Sequence, residues 1–113
     1  MRPRLIQAHN RVYENSGRVA VMYGPTLYCM EAVDNGENLR DIRIDRHAQF
    51  DLIESPEYGP PVLKTVAKRS AATNEALYHE VCNKRQSVEA TFIPYFAFSN
   101  RGESEMQVWT LLE

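Results

Sequence analysis

The sequence is poor in the residues that mark several protein classes. Its 113 residues include two cysteines, Cys29 and Cys82, too few for a disulfide framework and without CxxC spacing. We expect both to be buried thiols in a reducing compartment, although sequence alone leaves a disulfide between them open. Five glycines form no phosphate-binding motif, and no GxSxG nucleophile motif is present.

Long apolar runs and charge of one sign are also missing. No segment approaches membrane-spanning length, and the first five residues lack the apolar run of a signal peptide. The net charge is −2, with both signs mixed along the chain, so neither nucleic acid nor membrane is expected as a partner. These features predict one soluble, cytoplasmic domain over residues 1–113.

Candidate catalytic and metal-binding residues are scattered. His9, His47 and His79 fall on separate segments, and Cys29 with Glu31 would supply two zinc ligands where three or four are needed. We interpret Cys29 as a core residue and Glu31 as a carboxylate at the rim. The other carboxylates stand in no motif and are expected at the surface: Asp34, Glu54, Glu57, Glu103 and Glu105. The prediction is a chain with no catalytic residue, cofactor or metal.

Short β-like runs separated by turn residues dominate the pattern, which predicts an all-β antiparallel sandwich or jelly roll. The candidate strands cover residues 5–9, 18–23, 26–32, 42–44, 50–53, 62–69, 88–99 and 105–112. We expect a helical turn at residues 37–39, and either a short helix or an irregular excursion at residues 71–83. The predicted core contains Val19, Val21, Leu27, Phe92, Ile93 and Val108.

Aromatic residues are concentrated near the end of the sequence. Residues 88–99 and 105–112 are predicted to be strands joined by a hairpin loop at residues 100–104. Rings on both faces of the first strand favour a doubly covered core strand. Three residues remain candidates for a ligand or interface site, in which the rings would stack on a carbohydrate or pack against another surface: Tyr58, Tyr95 and Trp109.

Two long motifs resemble a known family. The stretches GRVAVMYGPTLYCMEAVDNGENL (residues 17–39) and ATFIPYFAFSNRGESEMQVW (residues 90–109) are similar to the C-terminal part of bacterial glycoside hydrolase family 127, typified by β-L-arabinofuranosidases. Tyr23, Phe98 and Ser99 stand where the family usually has Arg, Trp and Ala. The match covers most of the chain and varies most in its middle.

The resemblance implies a non-catalytic β-sandwich that supports an (α/α)6 catalytic barrel and contributes to dimerisation. The family's nucleophilic cysteine, acid/base glutamate and zinc site belong to that barrel, so Cys29 is not the nucleophile. The rival hypothesis is a carbohydrate-binding module. We also expect a symmetric homodimer, because the last predicted strand ends in Leu111 and Leu112 with little charge to protect its edge.

Overall fold

Short strands make up most of the molecule in the computed structural model, which describes residues 2–7, 17–36, 38–70, 85–98 and 105–112. The strands are β1 (Pro3–Gln7), β2 (Arg18–Tyr23), β3 (Thr26–Glu31), β4 (Ile42–Ile44), β5 (Asp51–Ile53), β6 (Val62–Ser70), β7 (Arg85–Pro94), β8 (Met106–Gln107) and β9 (Thr110–Leu112). A short helix, α1 (Ala32–Asn35), and two 3₁₀ turns, Leu39–Asp41 and Tyr95–Ala97, complete the described part.

The strands pair in the order β1-β2-β9-β4-β6-β7-β3-β8, with β5 added to β6. A further pairing of β2 with β3 closes six of these strands into a circuit around one interior. Neighbours are antiparallel apart from β4 and β9, which run parallel. The predicted all-β sandwich is confirmed, with short helical turns in addition.

The interior of this circuit contains the main apolar core. Phe92 and Val21 are fully buried there, and the largest interior side chain is Tyr28. Ile93 lies on the opposite face of β7, where Cys29 and Ala97 form a second, smaller buried cluster with it. Residues 28–31 of β3 and 92–94 of β7 are therefore buried on both faces of their strands, whereas the first half of β7 exposes one face.

Most of the predicted core is confirmed, and two members are corrected. Val19, Val21, Phe92 and Ile93 are buried, whereas Leu27 and Val108 are half-buried. Leu27 lies on β3 where β2 turns into it, opposite Met22, so it is at the margin of the interior. Val108 lies between β8 and β9 and packs against the smaller cluster from outside.

The predicted hairpin between residues 88–99 and 105–112 is wrong. Strand β7 ends at Pro94, which has no N–H to continue a ladder, and the chain then forms the turn Tyr95–Ala97. The second segment is two strands rather than one. Strand β8 pairs with β3, while β9 pairs with β2 and β4. Strand β3 consequently lies between β7 and β8.

The predicted helical turn at residues 37–39 is also displaced. Helix α1 occupies Ala32–Asn35 and shortens the preceding strand by one residue, and the first 3₁₀ turn follows at Leu39–Asp41. Gly36 and Asn38, which lie between these two elements, have positive φ angles of 81° and 60°. Glycine and asparagine adopt this left-handed region more readily than other residues. The predictions for residues 71–83 and 100–104 lie outside the described residues. No helix in the described part has the length and apolar character required to cross a bilayer.

Candidate functional site

The three sequence-predicted site residues occupy different environments. Tyr58 is half-buried and packs against the cluster of Cys29, Ile93 and Ala97. Trp109 is also half-buried, and its carbonyl oxygen accepts a hydrogen bond of 3.1 Å from Nη1 of Arg18. Tyr95 is 43% exposed on the second 3₁₀ turn. Of the three residues, Tyr95 has the largest exposed fraction.

Ring contacts do not join these three residues. In the described parts of the chain, the aromatic pairs are Phe50 with Phe92 in the core and Tyr95 with Phe98 at the surface. The second pair is stacked, with ring centroids 6.2 Å apart and an interplanar angle of 20°. The exposed aromatic surface is therefore local to one turn, rather than a platform built from distant segments.

We call this surface the aromatic turn and define it as Tyr95, Phe96 and Phe98. Phe96 is 63% exposed and Phe98 is 40% exposed, while the intervening Ala97 is completely buried. The small buried side chain of Ala97 anchors the turn against Cys29 and Ile93, and the larger rings project outward. The sequence predictions included Tyr95 but missed Phe96 and Phe98, for which the available signal was Pro94, because it ends the strand before them.

Strand β5 adds further exposed apolar side chains at the same end of the sheet. Leu52 is 46% exposed and Ile53 is 41% exposed. Ile53 is paired with Val62, and Val62 packs against the cluster that also anchors the aromatic turn. An open depression of about 520 Å³ lies beside Leu52 and is lined in part by Tyr23 and the loop after β5. This end of the molecule is thus apolar and uneven.

Tyr28 fixes that loop to the core. Its buried hydroxyl donates a hydrogen bond of 2.6 Å to the carbonyl oxygen of Pro61. Burial, followed by the nearby Tyr23, raises the pKa of Tyr28 to about 12. The phenol therefore stays protonated as a donor over the physiological range, which is a structural role.

The opposite end of the β3–β7 pair is polar, and we call it the polar corner, defined by Asn35, Arg69 and Glu105. The amide of Asn35 donates to the carbonyl oxygens of Glu31 (3.0 Å) and Thr91 (2.9 Å), and its Oδ1 accepts from the Thr91 backbone N–H (2.7 Å). One side chain thereby continues the hydrogen bonding of β7 beyond the end of β3.

Arg69 and Glu105 complete the polar corner. Arg69 donates to the carbonyl oxygens of Asn35 (2.8 Å) and Asn38 (3.3 Å). The carboxylate of Glu105 accepts from the backbone N–H groups of Asn38 (2.9 Å) and Leu39 (3.3 Å), at the start of the first 3₁₀ turn. Both side chains therefore anchor backbone groups of the segment between α1 and the first 3₁₀ turn.

The structure corrects the interpretation of Glu31 and confirms that of Cys29. Glu31 is completely buried and is not a rim carboxylate, because both faces of β3 are covered. Cys29 is buried beside it, as expected. Across the residues that the structure describes, no group of three or more His, Cys, Asp or Glu side chains is placed to hold a metal ion. His47 is exposed, whereas His9, His79, Cys82 and Glu103 lie outside the described residues.

The fold and its two ends define a small β domain whose described side chains serve packing and anchoring. Comparison with known proteins identifies the class. The family model for the glycoside hydrolase family 127 C-terminal domain matches residues 3–111, and the chain belongs to this family.

Similar proteins are larger enzymes. The chain is 30% identical to a non-reducing end β-L-arabinofuranosidase of Bifidobacterium longum subsp. longum, over 96% of this chain and 18% of that protein. It also matches the crystal structure of a family 127 β-L-arabinofuranosidase from Geobacillus stearothermophilus T6 (TM-score 0.92, 38% identity), covering 100% of this chain and 18% of that one. A second structure, described as a family 127 β-arabinofuranosidase, gives a TM-score of 0.81 at 36% identity, over 98% and 17% of the two chains.

Proposed function

We propose that this chain is a non-catalytic accessory domain of a glycoside hydrolase that acts on β-L-arabinofuranosyl bonds. The observation that carries the proposal is the extent of the similarity. The chain spans about 18% of the length of the relatives it matches, and the match runs through nearly all of its own residues. The described side chains of the polar corner and of the core are engaged in structural contacts, which also favours a supporting role.

The partner that we propose is the (α/α)6 catalytic barrel implied by the family resemblance. The aromatic turn supplies a suitable contact surface, because Phe96 is 63% exposed on a turn that is otherwise anchored by the buried Ala97. Exposed aromatic groups, with the exposed Leu52 and Ile53 at the same end of the sheet, are typical of surfaces that another protein layer covers. The domain would support the barrel through this apolar end and leave its polar corner in solvent.

A homodimer remains part of the proposal, with a changed rationale. The expected unprotected edge at Leu111 and Leu112 is wrong, because β9 lies between β2 and β4 and both leucines are half-buried. In the isolated chain, where no catalytic barrel covers the aromatic turn, that turn replaces the edge as the surface through which two copies would associate. We expect a dimer at micromolar concentration in size-exclusion chromatography with light scattering. A 13 kDa monomer at high concentration would contradict the expectation.

Carbohydrate binding is the second candidate, favoured by the stacked and exposed pair Tyr95 and Phe98. A binding module would give a saturable change in aromatic fluorescence with arabinose-containing oligosaccharides, and Tyr95→Ala would remove it. The accessory domain that we propose gives no such change. This titration separates the two functions on the same sample.

Activity measurements test the non-catalytic assignment. The purified chain is expected to show no hydrolysis of aryl β-L-arabinofuranosides and no stoichiometric zinc by elemental analysis. Turnover that survives repurification and is lost in a single-residue variant would overturn the proposal. Fusion of the chain to a family 127 catalytic region that has lost its own C-terminal domain tests the supporting role. We expect the fusion to raise the thermal inactivation temperature, and Phe96→Ser to reverse that gain.

A further inference from the structure

A groove with a volume of about 860 Å³ opens between β1 and the segment that joins β4 to β5. Each of its two walls is a run of five consecutive residues, 2–6 and 46–50. Successive side chains of a strand point to opposite faces, so a pocket on one face is lined by alternate residues. Because consecutive residues of β1 line the groove, we infer that the groove runs along the backbone edge of the strand and not over one of its faces.

One edge of β1 is open in the part of the chain that the structure describes. Among the described residues β1 is paired with β2 on one side, and its second side has no strand neighbour. Alternate N–H and C=O groups of an edge strand point away from its partner and are able to pair with an added chain. Strand addition at such an edge is a common mode of peptide recognition.

The base of the groove is apolar and held in place. Leu5, Ala48 and Phe50 line it and also pack against the interior core. The ring of Phe50 meets Phe92 edge-on at a centroid distance of 5.9 Å. Thr65 Oγ1 donates a hydrogen bond of 2.7 Å to the carbonyl oxygen of Gln49, which ties the second wall to β6. Apolar side chains of a bound segment would thus meet a fixed surface.

The rim of the groove is cationic. The lining residues include three arginines and one histidine, all exposed, and no carboxylate: Arg2, Arg4, Arg46 and His47. Nη2 of Arg4 also donates a hydrogen bond of 3.1 Å to the carbonyl oxygen of Gly24, directly after β2. A positively charged rim favours an acidic partner and speeds its association.

The same charges argue against a second copy of β1 in the groove. Two-fold pairing of β1 edges would bring Arg2 and Arg4 of one copy close to those of the other, and like charges directly across a strand pair are destabilising. We propose that the groove binds an extended segment of a second polypeptide chain, which adds to the β1 edge and alternates acidic with apolar side chains. This binding is separate from the aromatic turn and from the accessory function proposed above.

A direct test uses the 113-residue chain and a fluorescently labelled, end-capped peptide of alternating valine and glutamate. We expect saturable binding by fluorescence anisotropy that weakens with added salt. Reversal of two rim charges in the double variant Arg4→Glu/Arg46→Glu should raise the dissociation constant by about tenfold or more. Arg40→Glu is the matched control, because Arg40 is exposed but lies on the first 3₁₀ turn, outside the groove. It should bind like the unmodified chain.

Five comparison ligands make the result decisive. A peptide with lysine in place of glutamate, and one with the valines and glutamates in two separate blocks, should each bind at least several-fold more weakly. Equal binding of either would overturn the proposal, and so would equal binding by free glutamate or inorganic phosphate at the same carboxylate or anion concentration. Methylation of alternate peptide nitrogens should weaken binding, since it removes hydrogen bonds to the β1 edge. If the double variant does not fold, Arg4→Gln/Arg46→Gln serves in its place with the same expected direction.

Discussion

The polar corner and the aromatic turn are the two ends of one strand pair. Strands β3 and β7 run antiparallel, so α1, which follows β3, and the turn Tyr95–Ala97, which follows β7, lie at opposite ends. Both elements are short helical turns that follow a stretch of strand buried on both faces. Their surfaces differ in chemistry, because α1 exposes the aliphatic Val33 beside anchoring polar groups, whereas the other turn exposes three aromatic rings.

At the polar corner, side chains satisfy backbone groups at the end of the sheet, and the turn is fixed by contacts within the domain. At the aromatic turn, the small Ala97 faces inward while larger rings face solvent. The hydrogen-bonding groups of the polar corner find their partners within the domain. The exposed rings of the aromatic turn are instead typical of surfaces that another protein covers. We propose on this basis that the aromatic end is the one that lies against a larger protein.

The largest expected effect contrasts two phenylalanines four positions apart. Phe92 is completely buried on β7, and Phe96 is 63% exposed on the aromatic turn. Replacement of Phe92 by Ala should lower the free energy of unfolding by about 3–5 kcal/mol, because it removes buried contacts and leaves a cavity. Denaturant unfolding of both alanine variants measures the contrast. A loss at Phe92 no larger than that at Phe96 would contradict the assignment of β7 to the core.

The second prediction concerns the polar corner. Asn35→Ala removes three hydrogen bonds to backbone groups of Glu31 and Thr91, so we expect a loss of about 2 kcal/mol in the free energy of unfolding. Asn35→Asp keeps the acceptor for the Thr91 N–H but places a carboxylate oxygen against the carbonyl oxygens of Glu31 and Thr91, so it should lose at least as much. Gln49→Ala, at an exposed side chain, is the control and should change stability little. Equal effects of all three would show that the corner does not anchor β7.

Local pattern was sufficient for two of the strands that carry the core, but it did not place the bounds of β7, which was predicted at residues 88–99. The residues of β2 and β4 were predicted with their observed bounds, since alternation and flanking turns are properties of the segment itself. The division of residues 105–112 into β8 and β9 was not predictable in this way. It arises from partners distant in sequence, because β8 pairs with β3 while β9 pairs with β2 and β4.

The candidate site shows the same limit. Sequence placed Tyr95 among the surface candidates, and it is the most exposed of the three named residues. The exposure of Phe96 and Phe98 depends on the direction in which the chain leaves β7 after Pro94, which the residues themselves do not specify. The role of Asn35 has the same origin, since its side chain bridges to Thr91, 56 positions away, a contact that no local pattern specifies.

The third prediction tests the loop at the aromatic end. Tyr28→Phe removes the hydrogen bond to Pro61 and should cost about 1 kcal/mol at neutral pH. Because the pKa of Tyr28 is raised from 10.0 to about 12, its contribution is complete below pH 10 and is lost as the pH rises towards 12. The denaturation midpoint of the unmodified chain should therefore fall more steeply between pH 10 and 12 than that of Tyr28→Phe. Parallel curves would show that the phenol titrates normally.

The smallest expected effect on stability is also the most informative about the aromatic turn. Phe96→Ser replaces a ring that is mostly in solvent, so the free energy of unfolding should change by less than about 0.5 kcal/mol. Binding of the dye bis-ANS and association at high concentration should both fall, because the exposed apolar surface shrinks. Val66→Ser is the matched control, since Val66 is 67% exposed on the lysine-lined outer face of β6 and away from the turn. If Val66→Ser reduces dye binding and association as much as Phe96→Ser does, the aromatic turn is not the docking surface.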